Sequence, residues 1–129
     1  MIVLDASVPI AFLDGDDNHH AAAEQLLTQS IDEDLGVNSL TLAEVLVVPV
    51  RDGHLAPVLA ALRALEVQEL PFPADTALRL AQLRAATGLK MPDCCLILAA
   101  EDAAATVASF DERLAQTAEM RNLSVLRVS

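Results

Sequence analysis

Short apolar runs typical of buried β-strands alternate with helical segments along the whole chain, and this alternation restricts the fold more than any other feature. Strands that are separated by helices pair in parallel, and the helices then cover both faces of the sheet. The pattern predicts a three-layer α/β/α fold around a central, mostly parallel sheet of four to five strands. We expect residues 1–129 to form a single domain. The strand-like runs are residues 2–4, 35–37, 67–70, 106–110 and 124–128.

Helices are predicted between these runs from apolar periodicity and from residues that favour helix ends. Thr41 and Glu44 have the spacing of a capping box, and so have Ser109 and Glu112. These pairs predict how two of the helices begin. The helical segments are residues 8–13, 19–29, 39 or 41 to 50, 53–65, 73–87, 92–100 and a last one from 111 onward.

The charge of the chain is strongly acidic and unevenly distributed. Eight basic residues stand against 19 acidic ones, a net charge of −11, and residues 1–50 contain no Lys or Arg. Such a chain does not attract nucleic acid through its overall field. It also lacks Trp and Tyr, which argues against a stacking platform of the RRM or OB type. Contact with nucleic acid would need a local cationic patch or bound metal ions.

The adjacent cysteines Cys94 and Cys95 lie in an apolar segment predicted to be central to the core. Neighbouring cysteines rarely bridge each other, so we interpret them as buried thiols in a reducing compartment. The N-terminus lacks the basic region of a signal peptide, and no apolar run reaches the roughly 18 residues needed to cross a membrane. We therefore expect a cytoplasmic protein without membrane contact.

Four acidic residues that are distant in sequence are predicted to lie at one edge of the sheet. Asp5 follows the first strand, and Asp111 follows the strand at 106–110. Asp93 lies in the first turn of the apolar helix, and Glu44 lies early in its own helix. Ligands of open α/β sheets bind at this edge, beyond the carboxyl ends of the strands. Carboxylates gathered there repel one another unless a cation is bound, and hard oxygen donors favour Mg²⁺ or Mn²⁺ over zinc.

Each acid also has a purely structural interpretation. Asp111 taken alone is a typical helix cap, Asp93 suits the positive end of a helix dipole, and Asp5 suits a turn after a strand. A zinc site is not expected, because adjacent histidines on a helix project in different directions. We expect surface or packing roles for the three histidines, His19, His20 and His54.

Four short motifs occur in a fixed order along the chain: Ile2-Val3-Leu4-Asp5-Ala6-Ser7, Leu42-Ala43-Glu44, Pro92-Asp93-Cys94-Cys95-Leu96-Ile97-Leu98-Ala99-Ala100 and Val107-Ala108-Ser109-Phe110-Asp111. With these motifs, the chain resembles PIN-domain ribonucleases of the VapC toxin type over essentially its whole length. Cys94 and Cys95 depart from the small residues usual after the third acid of that family.

The resemblance implies a PIN-like fold and a metal-dependent endoribonuclease that hydrolyses RNA phosphodiester bonds with Mg²⁺ or Mn²⁺. It also implies a cognate antitoxin that docks on the protein and blocks the site, and a homodimer. Residues 47–65 have an apolar excess that could serve either interface. The implied catalytic and metal-binding residues are Asp5, Glu44, Asp93 and Asp111, with Ser7 and Ser109 in support and Glu112 as a candidate further acid.

Three other functions remain open at this point. A receiver domain also gathers acids at strand ends, but it needs a Lys near its fifth strand, and the only Lys here is Lys90 in a loop. A PIN-like protein without catalysis would act as a binding module. A nuclease of this type could also cleave DNA, because the chemistry does not use the 2′-hydroxyl. RNA contacts outside the site would involve cations such as Arg51, Lys90 and Arg113, although a solvated or ion-paired surface position is the preferred interpretation of each one taken singly.

Overall fold

The computed structural model describes residues 1–127, in which five parallel strands form one sheet. The sheet order is β3-β2-β1-β4-β5, and Val3 in the central strand pairs with Gly36 on one side and Val107 on the other. The predicted α/β fold with a mostly parallel sheet is confirmed. The strands are β1 (Ile2–Leu4), β2 (Leu35–Asn38), β3 (Val67–Leu70), β4 (Thr106–Ser109) and β5 (Val125–Arg127).

The helices agree with the predicted segments to within a few residues. The fifth begins at Thr76 rather than Pro73, because residues 73–75 form a turn closed by the Thr76 amide on the Pro73 carbonyl. The predicted end of the last strand, Val128, lies outside the described residues. Within these residues, no helix is long and apolar enough to cross a membrane. The helices are α1 (Ser7–Leu13), α2 (His20–Gln29), α3 (Ser39–Asp52), α4 (Leu55–Ala64), α5 (Thr76–Thr87), α6 (Met91–Ala103) and α7 (Glu112–Met120).

Alternating side chains of β1 separate the core into two layers, as the two-residue period of a strand requires. Val3 packs with buried residues of α5, α6 and α7. Ile2 and Leu4 point to the opposite face and pack with buried residues of α1 and α2. Helices therefore cover both faces of the sheet, and the three-layer arrangement is confirmed.

Helix α6 is the most deeply buried helix of the first layer, as its apolar sequence predicts. Leu96, Ile97 and Leu98 are completely or almost completely buried. Burial of each such side chain contributes about 1.5–3 kcal/mol. Cys94 and Cys95 are buried free thiols, as expected. The packing of α6 fixes its first turn, which carries Asp93, against the sheet.

Both predicted capping boxes are wrong. Helix α3 is capped by Asn38, whose side-chain oxygen accepts a hydrogen bond from the Thr41 amide at 2.9 Å. Asn is among the best N-caps, so α3 begins at Ser39, two residues before Thr41, and Glu44 has no part in the cap. Helix α7 is capped by Asp111, whose carboxylate accepts from the Leu114 amide at 3.2 Å. Ser109 ends β4, and its hydroxyl bonds to other groups.

Candidate active site

The candidate site lies where the strand order reverses. The chain adds β2 and β3 on one side of β1 and then returns to place β4 on the other side. The carboxyl ends of β1 and β4 are therefore the point where ligands of open α/β sheets bind. The first residue after β1 is Asp5, whose amide donates to the Ala108 carbonyl of β4 at 2.9 Å. Asp5 is thus fixed at the centre of this edge.

Two serine hydroxyls hold one oxygen of Asp5. Ser7 Oγ donates to Asp5 Oδ2 at 2.7 Å, and Ser109 Oγ donates to the same oxygen at 2.9 Å. The buried Ser109 hydroxyl also accepts from the Asp111 amide at 2.9 Å. Within residues 1–127, Asp5 Oδ1 has no hydrogen-bond donor. One side of the carboxylate is therefore fixed and the other is available to a ligand.

Asp111 follows β4 and has the structural role that a helix cap requires. Its Oδ1 accepts from Leu114, the third residue of α7. The cap interpretation is confirmed, but it does not remove Asp111 from the site. The negative charge of Asp111 raises the pKa of Asp93, so the two carboxylates are close in space. The cap fixes Asp111 while it contributes to the field of this edge.

Glu44 and Asp93 complete the group of acids at this edge. Partial burial raises the pKa of the Asp93 carboxyl above its usual value, and the charges of Asp5 and Asp111 raise it further. Burial also raises the pKa of Glu44, with further contributions from Asp5 and Asp93. None of the four acids forms an ion pair within residues 1–127. They share one electrostatic field, which the nearby charges of Lys90 and Arg113 offset only in part at Asp93.

This edge is not a preformed coordination shell. Among the described residues, no three His, Cys, Asp or Glu side chains are close enough to hold one ion as they stand. The donor chemistry nevertheless fits a hard divalent cation, because carboxylate and hydroxyl oxygens line the edge. Burial raises the pKa of Cys95, and the charge of Glu44 raises it further. The thiol therefore stays protonated and is a poor ligand for a soft metal.

Glu112 and two of the histidines form other contacts. Glu112 accepts three hydrogen bonds from Arg127 at 3.0–3.2 Å. The histidines have the expected packing and surface roles: the His19 ring stacks on Phe110 at 4.3 Å, and His20 Nδ1 lies 2.8 Å from the Ala11 carbonyl.

Glu44 also lines a groove. It has a volume of about 570 Å³ and lies between α1, α3 and α4. Its walls are mainly apolar and include Ile10, Val48 and Val58, with His54 among the few polar lining residues. The apolar excess at 47–65 indicated part of this wall. The part of the wall that α1 forms depends on tertiary packing, which the apolar periodicity of the sequence does not predict.

Comparison with known proteins identifies the family. Residues 2–120 match the PIN domain, and the chain therefore belongs to the PIN-domain family. Comparison with curated proteins gives no match.

Several solved structures share the fold over nearly the whole chain. VapBC2 from Rickettsia felis, bound to a promoter DNA fragment, is similar at 14% identity and a TM-score of 0.76, with 100% of both chains covered. The VapC20 toxin of Mycobacterium tuberculosis is similar at 20% identity and a TM-score of 0.74, covering 91% of this chain and 95% of that one. A toxin–antitoxin complex from Klebsiella pneumoniae is similar at 20% identity and a TM-score of 0.74, covering 86% and 87%.

Proposed function

We propose that this protein is a metal-dependent endoribonuclease and the toxin component of a toxin–antitoxin pair. The observation that carries the proposal is the group of four unpaired carboxylates at the strand-order reversal of a PIN domain. Mutual repulsion of carboxylates without a counter-ion is unfavourable, and such groups are typical of sites that bind cations. Among the similar structures, VapC20 is described as a toxin that cleaves the sarcin-ricin loop.

In this proposal, Asp5, Glu44, Asp93 and Asp111 hold Mg²⁺ or Mn²⁺. A bound divalent ion supplies a water of lowered pKa and neutralises charge that develops on the phosphoryl oxygens. Asp5 is oriented by the hydroxyls of Ser7 and Ser109, which leave its Oδ1 free. Removal of either hydroxyl would loosen a ligand without removing it.

The reaction is hydrolysis of a phosphodiester bond. The oxygen of water forms a bond to phosphorus, and the bond from phosphorus to the 3′-oxygen breaks. The departing 3′-oxygen takes up a proton, so the products are a 5′-phosphate and a 3′-hydroxyl. The 2′-hydroxyl takes no part, which is why DNA cleavage is the alternative that the test below must address.

The groove beside Glu44 supports an antitoxin partner. It is mainly apolar along α1, α3 and α4, and two acidic side chains, Asp14 and Glu44, are among its lining residues. An amphipathic helix with an Arg at one end would match both features. One of the similar structures is a toxin–antitoxin complex. The antitoxin would then occupy the groove and place a cation among the acids.

We also propose a homodimer. Helix α3 exposes Val47 and Val50 at 55% and 59% of their surface. Exposed β-branched side chains on one helix are costly for a monomer and are typical of an interface. Analytical ultracentrifugation of the purified protein would give twice the 13.7 kDa chain mass if the proposal is correct.

The proposed function is tested by cleavage of total cellular RNA in Mg²⁺ or Mn²⁺. Parallel reactions contain EDTA, or an Asp93→Asn variant purified in the same way to reveal contaminating nucleases. Discrete fragments with 5′-phosphate ends that need both the metal and Asp93 would support the proposal. Equal cleavage by the variant would contradict it, and cleavage of single-stranded DNA alone would establish the DNA alternative.

A further inference from the structure

Two cations accompany the acids at the candidate site. Lys90 is the residue directly before α6, and Arg113 is the second residue of α7. The same two helix starts carry Asp93 and Asp111. The positive charges of Lys90 and Arg113 both lower the pKa of Asp93, against the effects of burial and of the other acids. Both cations are exposed and lie on the solvent side of the site.

The helix positions of these cations do not favour folding. The N-terminal end of a helix carries a partial positive charge, which favours acidic residues there and disfavours Lys and Arg. Lys90 and Arg113 nevertheless occupy these ends on two separate helices. Neither forms an ion pair within residues 1–127 that would offset the unfavourable position. Their one evident structural benefit is to offset part of the repulsion at Asp93, whose pKa remains raised despite both cations.

Most other cations of the chain are already engaged. Arg51 and Arg79 pair with nearby acids, and Arg84 donates to the Leu89 carbonyl at 2.6 Å. Arg121 and Arg127 also form ion pairs. In the described part of the chain, the remaining cation, with neither an ion pair nor a side-chain hydrogen bond, is Arg63. It lies at the end of α4, just before β3, and therefore at the opposite edge of the sheet.

We propose that Lys90 and Arg113 bind backbone phosphates of the nucleic acid and so position the strand over the acids. This inference rests on the proposed nuclease function and names the residues that engage its substrate. A chain with a net charge of −11 repels a polyanion, so cations beside the site are needed to bring the strand to it. Phosphate contacts fix register and orientation and carry no sequence preference.

The salt dependence of binding tests the proposal directly. The probe is a fluorescein-labelled 12-nucleotide single-stranded RNA, with Ca²⁺ in place of Mg²⁺ and gels to show that it stays intact. Each lost phosphate contact reduces the slope of log affinity against log salt by about 0.7 for a single strand. That change corresponds to about fivefold weaker binding at 0.1 M salt. We expect this slope change and this weakening of binding for Lys90→Gln and for Arg113→Gln. The double variant should show about twice the slope change.

Two further variants separate a phosphate contact from a general effect of charge or folding. Arg63→Gln removes an exposed, unpaired cation at the opposite edge and should leave the slope unchanged. Arg113→Lys keeps a point charge that can bind phosphate and should retain most of the slope. Melting temperatures close to that of the wild type would show that all variants are folded.

The outcomes distinguish this proposal from the proposed function. Binding of RNA with equal slopes for the wild type, Lys90→Gln and Arg113→Gln would overturn the phosphate contacts and leave the nuclease function standing. Binding of the matching DNA but not of RNA, with the expected slope loss, would support the contacts and overturn the RNA substrate. Binding of neither strand by the wild type would overturn both.

Discussion

Two groups of acids in this molecule have opposite electrostatic surroundings. At the corner between α7 and β5, Arg127 pairs with Glu112 and Glu119, and its hydrogen bond to Glu119 lowers the pKa of that carboxyl. At the carboxyl ends of β1 and β4, burial and neighbouring acids raise the pKa values of Glu44 and Asp93. The acids of the first group therefore form ion pairs with Arg127, whereas those of the second group form no ion pair within residues 1–127.

The difference shows that ion pairing with arginine is available to surface acids of this fold but is not used by the acids at the strand ends. Arginines reach acids at several surface positions, including the Arg121–Glu101 pair with atoms 2.6 Å apart. The acids at the strand ends have cations near them but no ion pair within residues 1–127. A group of acids that opposes folding is typical of a site that is completed by a ligand. The predictions below test this contrast.

The largest effect is expected from Asp93→Asn. The variant removes a proposed metal ligand, so cleavage of RNA should fall at least about 100-fold. In EDTA the same change removes a repelled, partly buried charge and should raise the melting temperature by about 2–4 °C. Activity is measured on cellular RNA and stability by differential scanning calorimetry.

The matched control for this prediction is Glu119→Gln, which removes a paired carboxylate of the other group. It should leave cleavage unchanged and should not raise the melting temperature. Loss of activity together with a lower melting temperature in Asp93→Asn would indicate a structural role for Asp93. That result would contradict the claim that its charge is repelled by the other acids.

A smaller effect is expected from Ser109→Ala. The hydroxyl orients Asp5 and accepts from the Asp111 amide, so its loss frees one carboxylate and leaves a backbone donor unpaired. We expect activity to fall about 10- to 100-fold, as for other groups that orient metal ligands. The free energy of unfolding should fall by roughly 1–3 kcal/mol.

Ser7→Ala serves as the comparison for Ser109→Ala because it removes one hydrogen bond to the same Asp5 oxygen. It should have the smaller effect on both activity and stability. Equal effects of the two variants would show that the bond from Ser109 to the Asp111 amide contributes nothing.

The contributions of the two groups of acids to stability should change in opposite directions with pH. Glu44 and Asp93 have raised pKa values when folded, so their favourable contribution is present below the unfolded value, about 4, and is lost as pH rises through the folded value. Glu119 has a lowered pKa, so its contribution is present above the unfolded value and is lost as pH falls through the folded value.

In EDTA, the advantage in melting temperature of Asp93→Asn over the wild type should therefore grow between pH 4 and pH 7. The deficit of Glu119→Gln should shrink as the pH falls below 4. Thermal denaturation across this range measures both trends. An advantage of Asp93→Asn that stays constant with pH would show that repulsion among the acids is not its cause.

The smallest effect is expected from loss of the ion pairs between α7 and β5. Arg127→Gln removes the ion pairs to Glu112 and Glu119, which are exposed. Exposed pairs contribute little and are screened by salt, so the melting temperature should change by about 2 °C or less, and less still in 1 M NaCl. Cleavage should be unchanged, and a large loss of activity would show that the corner is part of the site.

Much of the fold could be predicted from local sequence signals. The bounds of β1 and β3 and the central position of α6 follow from short apolar runs and from a helix without a polar face. The first residue of each helix was harder to predict from the sequence, because several residues compete for the N-cap position. Asn38 takes the cap of α3, and a search for Ser or Thr with Glu three residues later does not find it.

The candidate site was predictable as a set of residues but not as a geometry. Strand ends and helix starts predict that Asp5, Glu44, Asp93 and Asp111 lie on one edge of the sheet. The bridge from Ser109 to Asp5 joins residues 104 positions apart, and it depends on β4 lying beside β1. The strand order, and with it the groove beside Glu44, comes from tertiary packing that no local pattern specifies.

Calorimetric titration with Mn²⁺ tests the central claim most directly, namely that the uncompensated acids form a cation site. The wild type and Glu119→Gln should bind the ion with the same affinity, and Asp93→Asn should bind it at least about 10-fold more weakly. Absence of binding by the wild type, or equal affinity in Asp93→Asn, would contradict the account.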